Sequence, residues 1–462
     1  MTNRPLLTRR QLALLAVGLG LTLLAIWLYI PRQITLPLES ERFHSNDFKH
    51  LWVGSRLLLL GESPYSERNL DLMAEGHNLG GINPYVYLPF TGLTMSPVTQ
   101  MHFHRSARVW FGVSQVALLL AIALTGAHLA GRRWWHAPWM MALGILIAAL
   151  MMPLYRQSTA GQLNGVLTLA LVIILISLER RWDWLAGLAI AFATLLKLSP
   201  GLFILWLLWR RAWRPLAWTA GWLALLMIWS LWRVGIDTHL EFLPLLADMR
   251  IGHSTWAHRG MAFHCDPTNQ AMGSFLLHIL AGAGGTQPWL NLGEGVANGL
   301  TAIFTLGILG TLVFATRHGW GDAGPELAAL RPEWALVVLA SLLIPSLMWD
   351  HYVVQLLPVL MVLIWGIWMR EGAEIPRRSL LTALWIAAAI LLAVWISHTI
   401  EERRHGLGLI AMSIRLWGVL LLFGLALEGR RAAARRPAPE AQSVPMNTSP
   451  AGTGNGEVRT QR

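Results

Sequence analysis

With 462 residues, 55% of them hydrophobic, only 13% charged and a mean hydropathy of +0.48, the chain is typical of a polytopic membrane protein and not of a soluble globular domain. Its single cysteine, Cys265, excludes an intramolecular disulfide and a cysteine-based zinc cage. The net charge of +11 does not indicate nucleic-acid binding, because arginine pairs recur at the ends of apolar segments, as the positive-inside bias predicts.

The first apolar segment follows an arginine-rich N-terminus and runs from Gln11 to Ile30. It is long enough to span a bilayer and lacks a small-residue cleavage site, which predicts an uncleaved helix with a cytoplasmic N-terminus. A long polar segment, residues 31–105, comes next and is rich in Gly and Pro. We expect it to form a structured loop with short helices that does not cross the membrane.

A short amphipathic helix is predicted in this first polar segment, starting near Asp47 and ended by Gly61 and Pro64. One face of it carries, at helical spacing, Phe48, Leu51, Trp52 and Ser55. Asp47 stands at the helix start, where an acid is a common N-cap that needs no further function. Capping and catalysis are therefore both open for Asp47 on the residues alone.

Three apolar spans are predicted next, at 107–130, 138–152 and 161–178, with arginine pairs at alternate ends. The following apolar stretch, 184–209, is interrupted by Lys197-Leu198-Ser199-Pro200. Each half is shorter than a full span, which indicates a helical hairpin or a broken pair of helices that returns to the cytoplasmic side.

A span at 214–234 leads into a second polar segment, residues 235–290. The remaining spans are predicted at 291–316, 328–346, 351–370, 379–397 and 408–427. The predicted fold class is thus an all-α polytopic membrane protein with about 11–13 membrane helices and two larger non-cytoplasmic loops. The integral membrane domain covers 1–430, and the tail 431–462 is predicted to be disordered in the cytoplasm.

Counting spans from a cytoplasmic N-terminus places nearly every unusual polar residue on the same, non-cytoplasmic side. These residues are found in 31–105, 155–162, Lys197, 235–290 and Trp349-Asp350-His351-Tyr352.

Several of these polar residues allow either a structural or a functional interpretation. Gln162 and Asn164 open an apolar helix and can serve as caps and interhelical hydrogen-bonding groups or as ligand contacts. Lys197, a lone lysine in an apolar segment, either snorkels or meets an anion. Asp350 and His351 form an ordinary polar turn or position a phosphate, and we favour function.

The second polar segment also raises the question of a metal site, since it contains His253, His258, His264 and Asp266. Their spacing matches no zinc signature, so we predict no metal site there.

Seven short motifs follow one another along the chain. They are Asp47-Phe48, Gly61-x-x-Pro64-Tyr65, Tyr87-Leu88-Pro89-Phe90, Gly161-Gln162-Leu163-Asn164, Leu196-Lys197-Leu198-Ser199-Pro200, Asn269-Gln270 and Trp349-Asp350-His351-Tyr352. Through their order and spacing the chain resembles, over about residues 12–427, glycosyltransferase family 87, which comprises bacterial membrane mannosyltransferases and relatives with the GT-C fold.

The resemblance implies an inverting hexosyltransferase. Such an enzyme moves a sugar, mannose in the best-known relatives, from a polyprenyl-phosphate donor in the lipid bilayer to a hydroxyl of a glycolipid or glycan acceptor. The implied location is the bacterial cytoplasmic (inner) membrane, with both termini in the cytoplasm and the active site on the outer face. No cofactor and no nucleic-acid partner are implied, and a divalent cation is left open.

The resemblance also implies roles for individual residues. Asp47 maps onto the general base that accepts the proton of the attacking hydroxyl, because an inverting displacement needs one base and no covalent intermediate. Lys197 would neutralise the donor phosphate, and His351, oriented by Asp350, would act at the reacting centre. The other expected substrate contacts are Arg156, Gln162, Asn164, Asn269 and Gln270.

Two positions depart from the family pattern. Leu88 replaces the first proline of the usual Tyr-Pro-Pro triplet, and Tyr352 stands where family members commonly carry a second histidine. A role that needs two imidazoles is therefore in doubt, whereas the proposed base is untouched.

The main alternative is a transporter or lipid flippase without transferase activity. That class predicts repeated halves and ionisable residues near the middle of the membrane. We find no convincing internal repeat, and the polar groups gather at one interface. A third class, a scaffold for envelope assembly, would not need Asp47, Lys197 and the Asp350-His351 pair.

Overall fold

The computed structural model describes residues 7–43, 47–317, 327–369, 375–396 and 401–434. Within these ranges the chain is built from helices, and the one β contact is an isolated antiparallel bridge between Asn269 and Trp349. The predicted all-helical architecture is confirmed. The tail 435–462 lies outside the described residues, and the last helix runs on to Ala434, past the predicted domain boundary at 430.

The described part of the N-terminal half contains twelve α-helices. They are α1 Arg9–Tyr29, α2 Leu36–Glu39, α3 Asp47–Leu59, α4 Glu67–Gly76, α5 Pro89–Thr99, α6 Phe103–Ala130, α7 Ala137–Leu150, α8 Met152–Ala160, α9 Asn164–Arg180, α10 Asp183–Leu196, α11 Leu202–Trp209 and α12 Trp213–Leu240. A π-helical turn, Ile30–Thr35, continues α1.

The C-terminal half contains eight described helices. They are α13 Phe242–Asp248, α14 Met272–Ala281, α15 Glu294–Thr316, α16 Leu327–Leu343, α17 Leu357–Trp368, α18 Ile375–Ala393, α19 Gly408–Met412 and α20 Ile414–Ala434. A 3-10 helix, Asp350–Leu356, leads directly into α17.

Six described helical segments are long and apolar enough to cross a membrane, or seven if the bent pair α8 and α9 counts as one span. The predicted number of about 11–13 membrane helices is higher than this count. Part of the difference is that Phe103–Leu150 counts as one segment although it contains α6 and α7, which pack against each other. In addition, the apolar helices α10, α11 and α14 are too short to cross alone.

Burial separates the centre of the helix bundle from its rim. In the segment that includes α17, 78% of the apolar window is buried, whereas the windows of α1 and α12 are only 17% and 11% buried. Apolar side chains left exposed on long helices are typical of lipid contact. We therefore interpret α16 and α17 as the core of the membrane domain and α1, α12 and α15 as its lipid-facing rim.

The apolar stretch 184–209 is interrupted where the sequence predicts, whereas its return to the cytoplasmic side stays a prediction. Helix α10 ends at Leu196, Lys197 adopts an extended conformation, and a 3-10 turn at Ser199–Gly201 starts the next helix. Pro200 cannot donate a backbone hydrogen bond within a continuing helix, so its position in the sequence predicts the break. The break leaves Lys197 at the junction of two helices.

A buried ion cluster ties three helices together away from this junction. Glu333 of α16 is fully buried, and it receives Arg430 of α20 at 2.6 Å and Arg210 at 3.4 Å. A buried carboxylate without these partners would carry a large desolvation cost. Each of the two arginines belongs to a pair at the end of an apolar segment, Arg210-Arg211 and Arg430-Arg431, and the positive-inside bias predicts such pairs at cytoplasmic ends.

Candidate active site

Asp47 is the first residue of α3, as predicted, and its position is fixed by the packing of that helix. Phe48, Leu51 and Trp52 are fully buried, which confirms the predicted apolar face. Ser55 on the same face donates a hydrogen bond of 2.5 Å to the Gly92 carbonyl in α5. Because α3 is anchored along its length, the carboxylate at its start has a defined place.

Gln162 holds the Asp47 carboxylate. Its Nε2 donates to Asp47 Oδ2 at 2.6 Å, and its Oε1 accepts the Tyr87 hydroxyl at 3.2 Å. The two contacts define the orientation of the amide, since only the nitrogen can donate to a carboxylate. Gly161 (φ +73°) makes this possible, because its left-handed conformation lets the chain turn by 116° between α8 and α9.

Lys197 lies with its ammonium group over the ring of Tyr352, 3.0 Å from the ring centroid. Among the described residues the ammonium has no hydrogen-bond or ion-pair partner, although Asp47 is close enough to attract it electrostatically. A cation held by an aromatic face keeps the N–H donors that point away from the ring for another ligand. Only two lysines occur in the chain, Lys49 and Lys197.

Asp350 and His351 begin the 3-10 helix that precedes α17, and both side chains are buried. Asp350 Oδ2 accepts Arg156 Nη1 at 2.7 Å, and Asp350 Oδ1 lies 3.6 Å from His351 Nδ1. The carboxylate therefore faces both the Arg156 guanidinium and the His351 imidazole. His351 Nε2 has no hydrogen-bond partner among the described residues.

Asn164 acts on His351 through the backbone. Its Nδ2 donates to the His351 carbonyl at 3.2 Å, and its Oδ1 accepts Gln355 Nε2 at 2.9 Å. Asn164 is fully buried, so these contacts use it to hold the 3-10 helix against α9. Its predicted contact with substrate stays a prediction.

Asn269 and Gln270 serve as a brace between the second polar segment and the Asp350 turn. Asn269 Oδ1 accepts the backbone N–H of Met348 at 3.0 Å, and the Gln270 N–H donates to the Met348 carbonyl at 2.7 Å. The Gln270 side chain also donates to the Met412 carbonyl at 2.8 Å. Both side chains are buried and engaged with backbone groups, so direct substrate contact, as predicted for them, stays a prediction.

The structure thus brings together six of the nine predicted site residues in two linked groups. One group joins Asp47 to Gln162 and places Lys197 within its electrostatic reach, and the other joins Arg156, Asp350 and His351. Tyr352 links them, because it follows His351 and carries Lys197 on its ring. The remaining three residues hold the backbone around these groups in place; they are Asn164, Asn269 and Gln270.

Sequence reasoning did not assign roles to Tyr87, Tyr352 or Arg415. Tyr87 belongs to the motif Tyr87-Leu88-Pro89-Phe90. Its phenol among apolar neighbours was the sequence feature that could have indicated a role. Arg415 is buried and donates to the carbonyls of Leu391 and Val394, while Asp350 attracts it electrostatically. A lone arginine at the start of an apolar helix was the signal for it.

Groups of three or more His, Cys, Asp or Glu side chains that could hold a metal ion do not occur in the described part of the chain. His264, one of the four residues considered, instead accepts or donates a hydrogen bond of 2.7 Å with Ser254. Burial lowers the pKa of His264 below its ordinary value.

Comparison with known families gives a match over the middle of the chain. The model described as glycosyltransferase family 87 matches residues 85–345, which is more than half of the chain. The matched range contains Arg156, Gln162, Asn164 and Lys197, whereas Asp47 precedes it and the Asp350-His351 pair follows it.

Curated relatives are similar over much of their length. The chain is 26% identical over 439 residues to a polyprenol-phosphate-mannose-dependent alpha-(1-2)-phosphatidylinositol mannoside mannosyltransferase of Mycolicibacterium smegmatis, covering 87% of this chain and 93% of the relative. A protein of the same description from Mycobacterium tuberculosis is 25% identical over 341 residues, covering 71% and 72%. A pentamannoside mannosyltransferase of Mycolicibacterium smegmatis is 27% identical over 317 residues, covering 68% of each.

Among solved structures, ArnT from Cupriavidus metallidurans is similar at 15% identity in the apo state and 14% with undecaprenyl phosphate bound. The TM-scores are 0.35 and 0.40, and each comparison covers 92% of this chain and 77% of the other.

Proposed function

Because the chain belongs to glycosyltransferase family 87, we propose that it is a hexosyltransferase that moves mannose from a polyprenyl-phosphate donor to a hydroxyl of a glycolipid or glycan on the outer face of the cytoplasmic membrane. The names of the curated relatives support both mannose as the sugar and polyprenol phosphate as its carrier. Family membership also supports the GT-C part of the predicted fold class.

The observation that carries the proposal is the convergence of a carboxylate and an ammonium group at one place. Asp47 acts electrostatically on Lys197, and also on the phenols of Tyr87 and Tyr352. A base for the attacking hydroxyl and a cation for the leaving phosphate are the two groups that an inverting transfer requires.

Asp47 supplies the base. Gln162 holds Oδ2 at 2.6 Å, and Oδ1 has no hydrogen bond to any other described residue. In the proposed reaction a carboxylate oxygen accepts the proton of the acceptor hydroxyl while the hydroxyl oxygen forms the new bond to the anomeric carbon. Attack from the side opposite the phosphate inverts the configuration at that carbon.

Lys197 and His351 act on the leaving group. As the bond between the anomeric carbon and the phosphate oxygen breaks, the electron pair stays on that oxygen, and polyprenyl phosphate departs with one more negative charge. Lys197 offers it the N–H donors that point away from the Tyr352 ring, and His351 Nε2 is unpartnered among the described residues. Both stabilise charge that develops in the transition state.

The surroundings fit a donor with a lipid tail. Leu198 and Leu205, close in sequence to Lys197, are exposed, and so are the apolar faces of α12 and α15. A polyprenyl chain in the bilayer can therefore present its phosphate to Lys197 without leaving lipid.

The test is transfer itself. Membranes from cells that produce the protein, incubated with radiolabelled polyprenyl-phosphate mannose and a phosphatidylinositol mannoside, are expected to yield a longer glycolipid with inverted anomeric configuration. Membranes that lack the protein are the control. Uptake or flipping of the lipid without a new glycosidic bond would favour the transporter and contradict the proposal.

A further inference from the structure

A cavity of about 430 Å³ lies between the first and second polar segments, outside the groups described above. Tyr65 and Glu67 line it from the first segment, and Glu241, Asp248 and Trp256 line it from the second. We refer to these five residues and the space they enclose as the loop cavity. Its volume lies within the range typical of small-ligand sites, roughly 300–1,000 Å³.

The loop cavity is connected to the proposed base by three consecutive hydrogen bonds. The Tyr65 hydroxyl donates to the Tyr87 carbonyl at 2.7 Å, and the Tyr87 hydroxyl donates to Gln162 at 3.2 Å. Gln162 in turn donates to Asp47 at 2.6 Å. Trp256 also belongs to the apolar cluster that contains Phe48, the residue after Asp47. The cavity is therefore connected through side chains to Gln162, the residue that holds the base.

The wall of the cavity is held in place from both segments. Arg259 pairs with Glu67 at 2.7 Å and with Asp71 at 2.9 Å, and its guanidinium lies 4.6 Å from the centroid of the Trp256 ring. Trp256 has a left-handed backbone (φ +58°), which is unusual for a bulky residue. Such a conformation persists only where the surroundings enforce it, as at ligand clamps.

The lining suits a neutral, polyhydroxylated ligand. Asp248 is exposed and its carboxylate has no partner among the described residues, while Glu241 accepts only the Ser63 hydroxyl. Carboxylates accept hydrogen bonds from hydroxyl groups and repel a phosphate. The rings of Tyr65 and Trp256 add flat apolar surface. A hexopyranose combines hydroxyl groups with such an apolar face.

We propose that the loop cavity binds the terminal sugar of the acceptor, with Asp248 and Glu241 as acceptors for its hydroxyl groups. This inference rests on the proposed transfer reaction. The donor phosphate and the acceptor sugar then occupy separate places: the phosphate lies at Lys197 and His351, and the sugar lies in the loop cavity.

The kinetic test compares the double variant Asp248→Asn and Glu241→Gln with the wild type, using polyprenyl-phosphate mannose and a phosphatidylinositol mannoside. Losing charge-assisted hydrogen bonds is expected to raise the acceptor KM about tenfold, with the donor KM within about twofold. The matched control is Glu75→Gln, an exposed acid on α4 away from the cavity, and its KM values are expected not to change. An unchanged acceptor KM in the double variant would overturn the assignment of the cavity. The proposed function would still stand in that case, provided that the wild type transfers mannose.

A second measurement does not depend on turnover. In a Cys265→Ser background, Asp248→Cys is labelled with a thiol reagent in the presence and absence of soluble α-linked mannotriose. Protection by the trisaccharide, and none by inorganic phosphate, is expected. Protection without transfer by the wild type would contradict the proposed function but support the cavity, and absence of protection would overturn the cavity assignment.

Discussion

Lys197 is the residue whose environment is most specific to binding an anion. Its ammonium lies on an aromatic ring and lacks a counter-ion in direct contact among the described residues. A lysine buried for structure alone would be expected to find a carboxylate or to snorkel to the interface. The sequence alone allowed either snorkelling or contact with an anion, and the contact with Tyr352 favours anion binding.

Replacing Lys197 is expected to weaken donor binding. In Lys197→Met we expect the KM for polyprenyl-phosphate mannose to rise about tenfold or more, because a charge-assisted contact to phosphate contributes about 1.5–3 kcal/mol. Lys49→Met removes the only other lysine and is expected to leave the donor KM within about twofold. A normal donor KM in Lys197→Met would contradict the assignment of the phosphate to this residue.

His50 makes the start of α3 sensitive to pH. Its ring is buried and stacks on Tyr87, and neither ring nitrogen has a hydrogen-bond partner among the described residues. Burial lowers the pKa of His50 below 6.5, and the nearby Asp47 raises it in part. Below pH 6.5 the unfolded chain binds a proton that the folded protein binds only at lower pH, so stability falls as the pH falls through this window.

The corresponding measurement is the apparent unfolding temperature in detergent at about pH 7.5 and about pH 5.5, on either side of the ordinary histidine pKa. His50→Phe is expected to lose less on acidification than the wild type, because the titrating group is gone. His102→Phe changes an exposed imidazole and is expected to behave as the wild type does. Equal acid sensitivity of His50→Phe and the wild type would contradict the account.

At the level of helices, the sequence predicts where a helix is interrupted but not the angle between the two helices that flank the interruption. The junction at Lys197 follows from Pro200, because a proline removes a helical hydrogen bond wherever it falls. The bend of 116° between α8 and α9 depends on Gly161 and on what α9 packs against, which no local pattern contains. This bend is what carries Gln162 to Asp47.

Close contact of α9 with α6 gives a test at this level. A Cβ on Gly165 would lie 2.5 Å from Ser114 Oγ and 2.6 Å from the Ser114 carbonyl oxygen. Gly165→Ala is therefore expected to destabilise the protein by about 1–3 kcal/mol and to lower transfer, since it shifts the helix that starts at Asn164. The measurements are the apparent unfolding temperature and the transfer rate.

Gly310→Ala is the matched control, because nothing lies within 4 Å of its Cβ in α15. It is expected to be neutral or stabilising by about 0.5–1 kcal/mol, the usual gain for alanine over glycine in a helix. If both variants behaved alike, the close packing of α9 on α6 would not be what positions the site.

Over the whole molecule, the positions of charged residues predicted which polar residues share one face. Arg156 pairs with Asp350 across 194 residues of sequence, and Gln162 meets Asp47 across 115. Counting spans places such residues on one side but cannot choose partners among them. The partners depend on helix packing, and for that reason the bracing roles of Asn269 and Gln270 were not foreseen.

The side of the membrane on which this face lies is a prediction that can be tested directly. A reporter fused after Arg68 is expected to be outside the cytoplasm, and a reporter fused after Arg181, at the far end of α9, is expected to be inside. A cytoplasmic signal at Arg68 would contradict an active site on the outer face.

Asp47 is the proposed base of a hexosyl transfer, and one comparison tests this role most directly. The transfer rate at saturating donor and acceptor is measured for Asp47→Asn and for Asp183→Asn, the same substitution at the first residue of α10, beyond the far end of α9. We expect Asp47→Asn to lose about 100-fold or more, because an amide cannot accept the proton, and Asp183→Asn to stay within about twofold. Equal rates for Asp47→Asn and the wild type would contradict the account.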